Sequence, residues 1–239
     1  MYRNTLMAVV AVVSSIASAQ STATPAEIAL WDTTWAQYQA LKPIPVALRG
    51  MVEVSQDISI VINGSSKKDV YDIYSNVSNA QGLHPFLVGW TPIRYTSNRL
   101  DFIAYEDVPY QGVILNLATI AQQKFDRYSF SYTSETFDQP GIITQQTVTF
   151  TEIGHKQVRV TEHLVFQTYP ELIDTAVQGG VYAHQLVQAG IKAGIENHTL
   201  QPIAFPQWLE DDNGCGGHGG GNGNGHGNGH GNGHGNGHH

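Results

Sequence analysis

Hydrophobic and polar residues change their spacing three times along this chain. In TPAEIALWDTTWAQYQALKPIP, Ile28, Trp31, Trp35 and Tyr38 recur every three to four residues, the period of an amphipathic helix. Thr24 as N-cap, Pro25 at the first helical position and Glu27 three residues after the cap form a capping box, and Pro43 and Pro45 stop the helix. Its aromatic stripe is expected to pack on the domain behind it, with a lid over a ligand as the alternative. From Val52 the period becomes two: VEVSQDISIVING reads as a strand, followed by a short helix over roughly 67–77 capped by Ser65 or Ser66. SNAQGLHPFL then suggests a further helix or turn. Six more strands follow over 89–97, 99–108, 112–126, 127–137, 142–153 and 156–168, joined by turn signals such as SN, PYQG, FDQPG and GHK.

After Pro170 the helical period returns, with Ile173, Val177, Gly180, His184, Val187, Ile191 and Ile195 along one stripe that ends near Asn197. Short connections favour an antiparallel meander, and a long amphipathic helix needs an apolar partner as large as that sheet. The expected class is α+β: a curved antiparallel seven-stranded sheet around a long C-terminal helix. This element order, with DISIVINGSSKKDVYDIYSNVSN and the TEHLVFQ…YAHQLVQAGIKAGIE ending, resembles the helix-grip fold of the SRPBCC superfamily. That group includes the START domains, polyketide cyclases and dehydrases, and birch-pollen-allergen-like proteins. The resemblance covers roughly residues 50–200 and implies a cavity for a hydrophobic ligand such as a polyketide, sterol, lipid or phenolic. Fold alone does not choose between carrying that ligand and transforming it.

One residue breaks the strand pattern. In VRVTEHLVFQ, Glu162 shares a face with Val158, Val160, Leu164 and Phe166, and a carboxylate is costly to bury without partners. It could pair with an arginine such as Arg94 or Arg127, bond a tyrosine, orient a ligand or transfer protons. Strand parity also places Glu106 inward, although Ile103 and Tyr105 make the other face nearly as apolar. His184 lies in the stripe of the last helix and points at the sheet, either as a core histidine or as a working group. His84 in LHPF either anchors a turn or reaches the ligand. Tyr105, Tyr110, Tyr128, Tyr132 and Phe166 are expected in the cavity wall. If Glu162, Glu106 and His184 converge, buried carboxyl and imidazole groups could abstract a proton beside a carbonyl and promote loss of water or ring closure, the chemistry of the polyketide cyclases this chain resembles. His163, of opposite parity, should face outward.

Composition narrows the partners. The formal charge of -8 becomes -9 once Arg3 leaves with residues 1–19, which hold no other charged residue. Without a Lys/Arg-rich run, nucleic acid and anionic membrane surfaces are not expected partners, and a neutral or apolar ligand is more compatible. The opening MYRNTLMAVVAVVSSIASAQ reads as a secretory signal peptide cut near Ala19, and no later segment suits stable membrane insertion. A secreted protein with sequons at Asn63, Asn76 and Asn197 is a candidate glycoprotein if its host is eukaryotic. Cys215 stands alone, which excludes an intrachain disulfide framework and leaves one residue able to link two chains.

The expected layout is a leader (1–19), a helix and Pro-rich linker (20–48), the main domain (50–200), a linker (201–213) and a disordered Gly/Asn/His tail (214–239). No cofactor is required by this reading. The GNGH repeat offers His226, His230, His234 and His238, spaced to chelate Zn, Cu or Ni loosely, or merely to solvate the chain end.

Overall fold

The capping box forms as its residues demand. A computed structural model describes residues 23–138 and 141–209, and in it α1 (Pro25–Leu41) starts with the Glu27 amide donating to Thr24 Oγ1 at 3.2 Å and the Thr24 amide donating to Glu27 Oε2 at 2.7 Å. A 3-10 turn (Val46–Arg49) leads into β1 (Val52–Asn63), followed by α2 (Lys67–Tyr74) and a second 3-10 turn (Val77–Ala80). Six strands come next: β2 (Leu87–Thr96), β3 (Arg99–Tyr110), β4 (Val113–Asp126), β5 (Ser131–Phe137), β6 (Ile143–Gly154) and β7 (Gln157–Thr168). The chain then enters α3 (Ile173–Glu196).

All strand pairs are antiparallel, in the order β1-β7-β6-β5-β4-β3-β2. With α3 packed against β1 and β7, this is the helix-grip arrangement: a curved seven-stranded sheet holding a long C-terminal helix. Strand β5 starts later than the alternation predicts. Asp126 accepts from the Tyr128 and Ser129 amides at 2.9 and 3.2 Å, and this side-chain turn keeps residues 127–130 out of the ladder.

Both faces of the sheet are covered. On the concave face, the C-terminal half of α3 brings Ile191 and Ile195 into a core with Val158, Val160 and Phe150. On the convex face, α1 packs Trp31 over Ile103 and Ile120, and Tyr38 over Phe137, Ile143 and Met51. The Trp31 indole also donates to the Ala121 carbonyl at 3.3 Å. This double cover explains why β3 alternates weakly, since Ile103 is as buried as Leu100.

The segment expected as a linker departs from that reading over residues 201–209. Phe205 stacks on Phe125 with centroids 4.1 Å apart, Trp208 meets Trp90, and Leu209 is fully buried. These side chains plug the end of the sheet where β4 finishes, because the apolar surface there has no other cover. Among the described residues, no helix is long and apolar enough to cross a membrane.

Of two adjacent glycines, one sets how close α3 comes to β7. A Cβ on Gly180 would lie 2.5 Å from the Phe166 ring, whereas one on Gly179 would meet Phe86 at an ordinary 3.8 Å. Gly180→Ala should therefore destabilise by about 1–3 kcal/mol through overpacking. Gly179→Ala should gain up to about 1 kcal/mol from helix propensity. Denaturant unfolding of the two variants checks the opposite signs.

Candidate functional site

Strand parity carries Glu162 into the concave face, where only 1% of its surface is exposed. Helix α3 places His184 and Gln188 one turn apart, so both reach it. The His184 ring nitrogen Nδ1 lies 2.7 Å from Glu162 Oε2, and Gln188 Nε2 donates to Oε1 at 2.9 Å. Tyr74 at the end of α2 donates its hydroxyl to Oε1, and Gln146 on β6 donates to Oε2 at 2.6 Å. Each carboxylate oxygen thus has two donors. Burial alone would raise the Glu162 pKa, but the His184 charge and the bonds from His184, Tyr74 and Gln188 outweigh it and hold the carboxyl below its usual range. For His184, burial disfavours the imidazolium, and Glu162 reverses that penalty and raises the pKa above the ordinary value of 6.5.

Among the described residues, no arginine meets Glu162. Arg94 lies on the convex side, bonded to Asp32 with its guanidinium 4.8 Å over the Trp31 ring, and Arg127 is exposed in the β4–β5 turn. Of the partners the sequence left open, a tyrosine is present, together with two glutamines and a histidine that the arginine reading did not include.

Above this network the sheet and α3 separate around a cavity of about 320 Å³, within the size range of small-molecule sites. Small residues on the N-terminal half of α3, Ala176, Gly179, Gly180 and Ala183, make the space. Apolar walls come from Phe86, Phe102, Leu115, Leu117, Phe166 and Leu172. His184 lines this space, and with Nδ1 committed to Glu162, Nε2 is the nitrogen available to cavity contents.

Glu106 and His84 line the same cavity. Thr119 donates to Glu106 Oε2 at 2.7 Å, and His84 Nε2 lies 3.9 Å from Oε1. The Phe86 and Leu87 amides donate to His84 Nδ1 at 3.3 and 3.1 Å, so the neutral ring carries its proton on Nε2. Burial, then the nearby His184, lowers the His84 pKa to about 4. Burial raises Glu106, only partly offset by Thr119 and His184. His84 and His184 ring centroids are 6.4 Å apart. Side-chain exposures of 23% for His184, 20% for Glu106 and 18% for His84 are surface given to the cavity they line.

The sequence passed over one acid. Asp138 also lines the cavity, with burial pushing its pKa up to about 7, although the Ile142 amide donates to Oδ1 at 3.0 Å. It sits in FDQPG, a turn signal, where a buried acid has no periodic signature. Gln146 was legible through its parity with Val148 and Phe150, and Gln188 through its four-residue distance from His184.

Other expected wall residues sit elsewhere. The Tyr105 hydroxyl bonds Glu27 of α1 on the convex side, because strand parity turns it away from Glu106. Tyr128 is fully exposed in the Asp126 turn. Tyr132 is buried in the core beside Phe150 and does not line the cavity, whereas Phe166 and Tyr110 do. His163 faces outward, 2.7 Å from Asp57.

Asn63 and Asn197 are exposed, whereas Asn76 is 8% exposed and its Oδ1 accepts from the Ser78 amide at 2.9 Å. The leader and the tail ligands His226, His230, His234 and His238 lie outside the described residues. Among the described residues, no group of three or more His, Cys, Asp and Glu is placed to hold a metal ion.

No family model and no curated protein matches this chain. Solved structures are similar to it. The Zhui aromatase/cyclase from Streptomyces sp. R1128 aligns at 10% identity over 61% of this chain and 96% of its own, with a TM-score of 0.49. TTHA0849 from Thermus thermophilus gives 12%, 62%, 99% and 0.49. Norcoclaurine synthase from Thalictrum flavum gives 10%, 62%, 88% and 0.45.

Two measurements follow from the electrostatics. An imidazole NMR titration should place His184 above 6.5 in the wild type, and below it in Glu162→Gln, where burial acts without the carboxylate. An unchanged His184 in that variant would refute the pairing. Asp138 binds its proton more tightly when folded, so its contribution to stability is complete below the ordinary 3.8 and is lost as pH rises through about 7. Asp138→Asn should accordingly raise the melting temperature more at pH about 8 than at pH about 5.

Proposed function

We propose that this is a secreted protein that encloses an apolar small molecule and acts on it by proton transfer. One observation carries the reading: an apolar cavity with the charged His184–Glu162 pair at its inner wall and Glu106 beside it. A structural core would fill that space, since voids of this size cost stability. Secretion rests on the N-terminal pattern of a short apolar run and small-x-small residues.

The raised pKa of His184 makes it the proton donor, acting through Nε2, with Glu162 holding the ring and stabilising its charge. Glu106, also raised, is a stronger base than an ordinary carboxylate and is the cavity group placed to accept a proton. A proton would leave a carbon beside a carbonyl for Glu106; the enolate then either expels a β-hydroxyl that His184 protonates, forming a C=C bond, or attacks a second carbonyl carbon of the same molecule, forming the ring C–C bond while His184 protonates that carbonyl's oxygen. The products are a dehydrated or cyclised ring system and, in the first case, water. His84, neutral and fixed by two amides, faces Glu106 with Nε2 3.9 Å from Oε1, beyond hydrogen-bond reach, so that oxygen stays open to the cavity.

Native mass spectrometry of protein recovered from culture medium should find a bound small molecule that is lost on denaturation. Binding of 1-naphthol, followed by its fluorescence, should weaken at least about tenfold in Ala176→Phe, which fills the cavity from α3. Equal binding in a folded Ala176→Phe would refute the site. Any turnover should follow a bell-shaped pH profile, its acidic limb set by protonation of Glu106 and its alkaline limb by loss of the His184 proton.

A further inference from the structure

The cavity has an imbalance of charge, and Asp138, one of the acids that make it, has no part in the proposed proton transfer. The titratable groups that face it are His84 ahead of β2, Glu106 and Tyr110 on β3, Asp138 after β5 and His184 on α3, with Glu162 of β7 behind His184. Among the described residues, neither lysine nor arginine lines it. His184 is matched by Glu162, and the His84 ring stays neutral because two amides occupy Nδ1 and burial opposes its charge. Two carboxyl groups are left without a cation.

Those two groups are close neighbours across the sheet. Ala104 pairs with Thr119 between β3 and β4, and Ile120 pairs with Phe137 between β4 and β5, so the next step of that register brings Asp138 beside Thr119. Thr119 in turn bonds Glu106 at 2.7 Å. The Thr119 hydroxyl takes up Glu106 Oε2, and the Ile142 amide takes up Asp138 Oδ1. Glu106 Oε1 and Asp138 Oδ2 are the oxygens left for a guest.

We infer that the cavity takes an apolar molecule bearing a basic amine, whose ammonium group sits between Glu106 and Asp138, and that it rejects carboxylic acids of the same skeleton. Two buried carboxylates without a counter-charge are costly, and in the empty cavity burial strengthens the hold of both groups on a proton. An ammonium group offers three donors and a positive charge in place of those protons. An anionic guest would instead add a third negative group to a site with no cation to meet it. Because the carboxyls must ionise to receive the ammonium, binding releases protons, and affinity for the amine rises with pH while the amine stays charged. This inference rests on the cavity being the ligand site.

The test compares 1-naphthylmethylamine, 1-naphthalenemethanol and 1-naphthoate on the full chain by calorimetry at pH about 7, in two buffers of different ionisation enthalpy. The amine should bind at least about tenfold more tightly than the alcohol, and the acid at least about tenfold more weakly. Only the amine should show buffer-dependent heat from released protons, and only its affinity should rise between pH about 5.5 and 8. In the double variant Glu106→Gln with Asp138→Asn, folded by circular dichroism, the amine-to-alcohol affinity ratio should fall to about one. An acid that binds as well as the alcohol, an amine that binds no better, or a ratio that survives in the double variant would overturn the inference while leaving the cavity site standing. Failure of all three compounds to bind would overturn both.

Discussion

A carboxylate with 1% of its surface exposed stays charged only when its oxygens are met by donors, and Glu162 draws three other elements to its strand to satisfy that demand. Tyr74 from α2, Gln146 from β6, and His184 and Gln188 from α3 all converge on it. These bonds tie the last helix to the sheet beside the apolar contacts below them. They also decide the state of His184, because a raised imidazole pKa at a buried position requires this negative neighbour. The cavity begins where the network ends.

The three acids of the concave side therefore divide by how their needs are met. Glu162 is saturated by protein donors and serves to hold and charge His184. Glu106 and Asp138 each receive one protein donor and keep an oxygen toward the cavity. Burial raises both, which is the condition of groups that exchange protons or await a partner. Below them the core is filled by Ile191, Ile195, Phe205 and Trp208; above them Ala176, Gly179 and Ala183 leave space. One helix thus builds a packed half and a hollow half by residue size alone.

Much of this was legible in the residues. The alternation in VRVTEHLVFQ placed Glu162 inward, the stripe from Ile173 to Ile195 aimed His184 at the sheet, and the Thr24–Glu27 box marked the start of α1. Parity holds on β3, but the apolar contrast between its faces vanishes because α1 covers Ile103 and Ile120 on the outer side. Tyr105 was therefore read as cavity wall although parity sets it opposite Glu106. Tyr128 was misread because a side-chain turn at Asp126 interrupts an otherwise regular pattern. Asp138 had no periodic context, and the plug at Phe205 and Trp208 follows a proline-containing stretch that reads as linker. Long-range partners such as Tyr74 carry no local signal, since nothing in an eight-residue helix says which strand its tyrosine will meet.

The proposed function depends on a small apolar molecule entering the space beside His184. Chemical-shift mapping with 1-naphthalenemethanol tests this most directly. Saturable shifts of the His184 side-chain nitrogens and of the Ala176 and Phe166 amides are the expected result. Shifts confined to the polar cleft between Ser65–Asp69 and His198–Gln201, with His184 unmoved, would contradict it.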